Sequence, residues 1–537
     1  MPPRGHRARK LALFFLFAMP FFFGVLALWL GQDANWDLRN YHWYNAYAFL
    51  NGRYDVDLLP SQTPWFYNPT LDVPYYLLAT HVPARVAAFI LGAVQGINYS
   101  LLFMLCYAAL VINNTRQKVI VSAVLALMGM LGGGGIALIG TNFGDNITSL
   151  GVFTSALLLL RYQGQLFSTA WWRAILLALL FGLPAGAMMG LKLPSVTFCV
   201  GLCGAIVAMR GPLMRRVLIA FGFGLGVLAG VALALGHWAH FLQTHFGSPL
   251  FPYFNQIFKS PLAPLSSARD TQFVTRSLHD FLLFPWVFTD SPYRVGEIEW
   301  RDWRLLALYI LLPLGVILRL IFGKDRARAD GVGQAAVAPY LMTMVAISYF
   351  VWLVMFCVYR YAVPLEMLAP LLIVLAIDLL PLRIATRQVA SLFILGIIAC
   401  SIQGGNWGRH QGWLDHAVEA DIPPLGNTSN LMVLMAGFDP FSHVIPLFPP
   451  DVTFVRIQSN FSSPDENKGI NRLIHDKVDS HKGRLMIMVT PWQHHFADDA
   501  LSYFNLRPSW RACQKVLDRL YPSGNLDLCP VERVRTP

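Results

Sequence analysis

Between residues 32 and 83 the chain gathers acids, aromatics, prolines and amides: Asp33, Trp36-Asp37-Leu-Arg39-Asn40-Tyr41, Tyr44, Tyr47, Gly52-Arg53, Tyr67-Asn68-Pro69 and Pro74-Tyr75-Tyr76. Asp37 is the candidate for proton chemistry, with Asp33, Arg39, Tyr41, Tyr67 and Asn68 as substrate-binding candidates around it. Other unusual polar residues stand at the ends of apolar runs: Asn142, Asp145 and Asn146, then Lys192, then Tyr359-Arg360-Tyr361. Ionisable groups at membrane depth are costly and tend to line a site. Acids and bases of this kind suit a reaction on a phosphorylated lipid. Lys192 and Arg360 would hold the phosphate, the arginine through paired hydrogen bonds. Asp145 and Tyr361 join the substrate-binding set. Asp37 would take the proton of an acceptor hydroxyl, while fixed cations stabilise the leaving phosphate where little water competes.

Each residue also has a plainer role to set against this. Asp33 or Asp37 could cap a helix, as could Asp145. Lys192 could snorkel to the interface, and Arg360 could anchor an aromatic girdle. His494-His495 with Asp498 reads as a solvated helix start rather than a metal site. The case for chemistry rests on the shared side of the membrane to which the topology below assigns these residues.

The elements that must position them are membrane helices. Of 537 residues, 55% are hydrophobic and only 13% charged, with a mean hydropathy of +0.49; soluble domains carry about a quarter charged residues. Apolar runs at roughly 11–31, 84–112, 118–140, 147–162, 171–190, 194–210, 214–241, 304–323, 335–358, 363–381 and 387–403 predict about eleven transmembrane helices. The net charge of +11 is explained without nucleic acid. Basic residues collect in the short loops expected inside: Arg116 and Lys118; Arg161 and Arg173; Arg210, Arg215 and Arg216; Lys324, Arg326 and Arg328; Arg383 and Arg387. The run after Arg4, Arg7, Arg9 and Lys10 is too long for a signal-peptide core and no small-residue cleavage site follows it. It is expected as an uncleaved first helix with a cytoplasmic N-terminus. Loops 32–83 and 242–303 and the tail then fall outside, in the periplasm of a bacterial inner-membrane protein.

Within the first loop, Tyr41, Tyr44, Tyr47 and Ala48 share one helical face over Leu38–Leu50. From about 425 the chain changes character. β-like runs (Leu431–Met435, Thr453–Ile457, Leu485–Val489) alternate with helical patterns (Asp465–Val478, Ala497–Phe504), predicting a small extracytoplasmic α/β domain over 425–537 behind a catalytic membrane domain over 1–405. Five cysteines lie in apolar runs; Cys513 and Cys529 are polar-region residues able to pair on an oxidising side. There is no CxxC or His/Cys ligand spacing, so neither metal nor cofactor is expected.

These motifs resemble the GT-C superfamily of integral-membrane glycosyltransferases, in particular its polyprenyl-phosphate-mannose-dependent branch. Three elements carry the resemblance: Trp36-Asp37-Leu-Arg39-Asn40-Tyr41 with Gly52 and Tyr67-Asn68-Pro69; Ala185-Gly186-Ala-Met-Met-Gly190-Leu-Lys192-Leu-Pro194; and Arg360-Tyr361 followed by Pro364. The resemblance spans residues 10–405 and implies inverting transfer from a polyprenyl-phosphate sugar to an envelope glycan or lipid, with Asp37 as base and Lys192 and Arg360 at the donor phosphate. The chain departs from it at Asn68, where the family has a second proline, and in its α/β tail. Rival readings are an envelope polymerase or ligase using a diphosphate-linked glycan, a lipid-linked sugar transporter or flippase, and a non-enzymatic scaffold.

Overall fold

Apolar segments fold as helices because hydrocarbon offers no partner for an open backbone N–H or C=O. The computed structural model describes residues 5–268, 270–322, 331–466 and 469–534. Arg4, Lys324, Arg326 and Arg328, used above for topology, lie outside the described residues. Among the described residues, eight helices are long and apolar enough to cross a membrane: His6–Leu30, Ala84–Ala109, Trp171–Leu191, Leu213–Phe246, Arg304–Phe322, Ala338–Met355, Tyr359–Ile377 and Ile384–Ser401. These mark a membrane protein. The other three expected spans are shorter helices, Thr115–Met130, Asp145–Arg161 and Val196–Gly204. Local breakers explain the shortening: a Gly132–Gly135 run follows the first, Gly144 at φ 80° precedes the second, and a 3-10 turn, Ala205–Ala208, ends the third.

The chain divides into two compact units. The first comprises Met1–Leu30, Phe89–Gly236 and Asp270–Trp407. Its helices pack through small residues, as membrane helices do in the absence of a strong hydrophobic drive between them. At Gly186, for example, a Cβ would lie 2.1 Å from the Val227 carbonyl oxygen. Its core contains a fully buried ionic network. Arg304 Nε pairs with Asp302 at 2.9 Å, and its guanidinium also donates to the Met128 carbonyl at 2.8 Å. Asp302 accepts from the Gly133 N–H, and the Glu366 carboxylate accepts from the N–H groups of Gly134 and Gly135. Buried charges survive only when paired and hydrogen-bonded in this way.

The second unit comprises Gly31–Ala88, His237–Arg269 and Gly408–Pro537. Its sheet contains β1 (Ala420–Asp421), β2 (Leu431–Met435), β3 (Thr453–Arg456), β4 (Arg484–Val489), β5 (Leu506–Pro508), β6 (Gln514–Asp518) and β7 (Leu526–Arg533). The order is β1-β6-β7-β4-β2-β3, with β5 also on β7. β2 pairs in parallel with β3 and β4, while β7 runs antiparallel to β4, β5 and β6. The three expected strands are present, and helices Gly469–Ser480 and His494–Ser502 occupy the expected helical stretches. Strands β1, β5, β6 and β7 lack the long apolar runs that announced the others. Cys513 and Cys529 are joined as a disulfide.

The first loop folds with this sheet. Leu58 bridges Val455 in parallel, and Arg53, in a bidentate pair with Asp57, donates to the carbonyls of Pro450 and Val452. Asp57 receives the Tyr44 hydroxyl at 2.7 Å and the Phe454 N–H at 2.8 Å. The expected helical stretch Leu38–Leu50 is present as a π-helical turn, Leu38–His42, running into an α-helix, Trp43–Leu50. Its aromatic face is buried, with Tyr41, Trp43 and Tyr44 all inside the unit.

Candidate functional site

Asp37 opens the π-helical turn with helical φ/ψ of −68° and −40°. The capping task falls elsewhere. Asn35 Oδ1 accepts from the Leu38 N–H at 2.8 Å, and Asp33 Oδ1 in turn accepts from the Asn35 side chain at 2.6 Å and its backbone N–H at 3.1 Å. Asp33 is therefore the residue that orients the cap. It also sits on an antiparallel bridge to Arg409, whose guanidinium is pushed down by burial and held up by Asp33. Asp37 stays half-buried, and its Oδ2 accepts from the Tyr41 hydroxyl at 3.1 Å.

Aromatic rings gather beside it. Tyr41 meets Tyr67 edge-on with centroids 5.3 Å apart; Tyr67 stacks on Tyr253, and the Tyr253 hydroxyl donates to the Tyr67 hydroxyl at 3.0 Å. Tyr67 remains exposed. Asn68 caps the next turn, accepting from the Thr70 N–H at 3.1 Å. Arg39 is 8% exposed, so it lies behind the turn rather than on its open side. Its Nε donates to the Ala34 carbonyl at 3.0 Å and its guanidinium stacks 3.7 Å from the Tyr521 ring centre. Burial lowers its pKa, against the pull of Tyr521, Asp518, Asp439 and Asp33. Its carbonyl is 3.1 Å from His443 Nδ1, and His443 Nε2 is 2.9 Å from Asp518.

Lys192, Asp145, Arg360 and Tyr361 come together in the other unit around Phe143. Lys192 follows the helix Trp171–Leu191, where Pro194 prevents continuation. Its ammonium pairs with Asp145 at 2.8 Å and donates to the Phe143 carbonyl at 2.6 Å. It also lies 5.4 Å from the Tyr361 ring centre. Asp145 begins its helix, where a carboxylate suits the dipole. The Arg360 guanidinium lies 4.3 Å from the Phe143 ring centre. It belongs to the 3-10 turn Tyr359–Ala362, which is fixed by a Tyr359 N–H bond to the Val295 carbonyl and by Tyr359 packing on Trp300. Lys192 is thus paired with Asp145, and Arg360 stands over the ring of the same Phe143.

The sequence reading missed Asn35, His42, Asp72, Tyr253 and Phe143. A capping signal three residues before Leu38 was legible for Asn35; the others depend on residues distant in sequence. Among the described residues, no three His, Cys, Asp or Glu side chains converge as metal ligands would. Compared with known proteins, the chain matches no family model and no curated protein.

Proposed function

We propose that the protein is a GT-C-type glycosyltransferase that moves a sugar from a polyprenyl phosphate to a cell-envelope glycan or lipid. The observation that carries this reading is that Lys192, Asp145 and Arg360 gather around Phe143, bringing together the two cations proposed for the donor phosphate. In the proposed reaction the acceptor oxygen attacks the anomeric carbon as the carbon–phosphate oxygen bond breaks. The phosphate leaves with the electron pair, towards Lys192 and Arg360. Asp37, released from capping by Asn35, takes the hydroxyl proton. The exposed Tyr67 ring offers a surface for the acceptor. The reading includes the expected eleven spans, a cytoplasmic N-terminus and the site residues on the outer face. The Cys513–Cys529 disulfide supports an oxidising compartment for the tail.

The test is transfer from polyprenyl-phosphate sugars in reconstituted membranes. Asp37→Asn is expected to lose about 10²–10⁴-fold in kcat, the range for a general base. Wild-type activity in that variant would remove Asp37 from the reaction. Turnover restricted to diphosphate-linked glycans would replace the reading with a polymerase or ligase.

A further inference from the structure

In the first unit, Arg301 and Gln403 exchange both backbone bonds. The Arg301 N–H donates to the Gln403 carbonyl at 2.9 Å, and the Gln403 N–H to the Arg301 carbonyl at 3.0 Å. The exchange draws the start of the helix Arg304–Phe322 to the end of the helix Ile384–Ser401. Both are long and apolar enough to cross a membrane. At 1.5 Å per residue they measure about 27–29 Å, close to the ~30 Å of bilayer hydrocarbon. Their joined ends therefore stand where hydrocarbon gives way to headgroups. Trp303, 40% exposed, is of a residue type that favours this level.

A groove of about 640 Å³ runs from these ends along Ile384–Ser401. Leu392, Gly396 and Cys400, four residues apart, share the helix face that walls it, with Phe393 beside them. Leu392 and Phe393 are 75% and 67% exposed, so the wall is open to the bilayer rather than packed in the protein. It is notched at Gly396, where a Cβ would meet nothing within 4 Å. From Leu392 to Cys400 the wall is about 12 Å long, most of the ~15 Å of hydrocarbon in one leaflet. Arg301 is the charged residue of the lining and stands at the Ser401 end. Its Nε donates to the Ser401 carbonyl at 3.0 Å, while its Nη nitrogens enter no hydrogen bond or ion pair among the described residues.

We propose that this groove binds an anionic phospholipid of the bilayer, with one acyl chain along Leu392–Cys400 and the phosphate on Arg301. The site is distinct from the donor-phosphate cations Lys192 and Arg360 and does not depend on glycosyl transfer. An apolar wall at membrane depth suits a hydrocarbon chain, because a polar ligand there would give up its hydrogen bonds. A guanidinium at headgroup level can meet a phosphate through two parallel hydrogen bonds. A zwitterionic lipid brings its own cation to compete with Arg301, so a lipid of net negative charge is the better occupant. Snorkelling alone would also carry Arg301 to the interface, but it gives no role to the notch at Gly396, which leaves room for a chain.

The test irradiates the full chain in nanodiscs containing phosphatidylglycerol or phosphatidylcholine with a diazirine in one acyl chain. Mass spectrometry then reads the cross-links on residues 392–400 against those on the lipid-exposed helix Leu213–Phe246. Wild type is expected to label there about fivefold more with phosphatidylglycerol, the preference one basic residue gives an anionic lipid. Arg301→Gln should bring the two lipids level while leaving total labelling in place. Gly396→Trp fills the notch and should remove most labelling by either lipid; its Cβ enters open space, so Tm should hold. Equal labelling by the two lipids in wild type, or labelling unchanged in Gly396→Trp, overturns the proposal. Should Gly396→Trp not fold, Arg301→Gln decides alone: a retained preference for phosphatidylglycerol overturns it. Displacement of phosphatidylglycerol by an equal amount of polyprenyl phosphate also overturns it, giving the groove to that lipid instead.

Discussion

At the scale of single residues, hydrogen bonding distinguishes side chains that look alike in the sequence. Asp33 and Asp37 are equivalent by type and only a few positions apart, yet Asp33 is committed to Asn35 while Asp37 is not the cap. Asn68 and Arg39, both expected to touch substrate, are engaged with their own backbone surroundings through Thr70 N–H and Ala34 O. Lys192 and Arg360 remain the phosphate candidates. Arg360→Lys tests this choice. Lysine keeps the charge but loses the planar face on Phe143 and the paired donors. We expect the donor KM to rise about tenfold, the equivalent of ~1.4 kcal/mol, with kcat changed less; an unaltered KM would take Arg360 away from the donor.

At the scale of elements, the turns carrying these residues are fixed by buried polar networks. A Cβ at Gly134 would lie 2.5 Å from the Tyr359 ring, which anchors the Arg360 turn, and 2.9 Å from the Glu366 carboxylate. Gly134→Ala should therefore cost about 1–3 kcal/mol through overpacking and weaken donor binding alongside. Thermal unfolding in detergent together with donor titration measures both. In the second unit, the carboxyl ends of β2 and β3 are where open α/β sheets take ligands. Here the first loop lies against them: Arg456 Nε donates to the Pro60 carbonyl at 2.8 Å, Ser442 Oγ to the same carbonyl at 2.6 Å, and Gln62 Nε2 to the Phe438 carbonyl at 3.0 Å. Hydrogen exchange at residues 58–63 is expected to quicken in Arg456→Met and to stay unchanged if the loop holds its place unaided. Asp439, beside Arg456, has its carboxyl raised above the ordinary 3.8 by burial, against the Thr490 hydroxyl, Arg39 and Arg456. A raised carboxyl stabilises the fold most below 3.8, and that contribution fades as pH climbs through the folded value. Asp439→Asn, neutral throughout, should flatten the decline of Tm with pH over that window.

At the scale of the whole molecule, segments far apart in sequence complete each other. Arg53 and Pro450, 397 residues apart, are hydrogen-bonded partners, so the first loop and the tail fold as one unit. The Cys513–Cys529 pair gives a check in intact cells: mass spectrometry without reduction should find the two peptides linked if the tail faces an oxidising compartment. The membrane character, the apolar helices, the helical stretch from Leu38 to Leu50 and the three apolar strands were determined by sequence alone, because periodicity and hydropathy are local properties. Span lengths were less legible: hydropathy passed through Gly132–Gly135 and Gly144, where the backbone turns. Only the tertiary structure decided that Lys192 meets Asp145, that Glu366 is held by glycine N–H groups, that His42 finds Asp72, and that Asn35 rather than Asp37 caps the turn. Most of these partners are brought together by chain reversal and burial. The last turns on which of several neighbouring polar side chains the backbone aims at one N–H, and composition leaves that direction open.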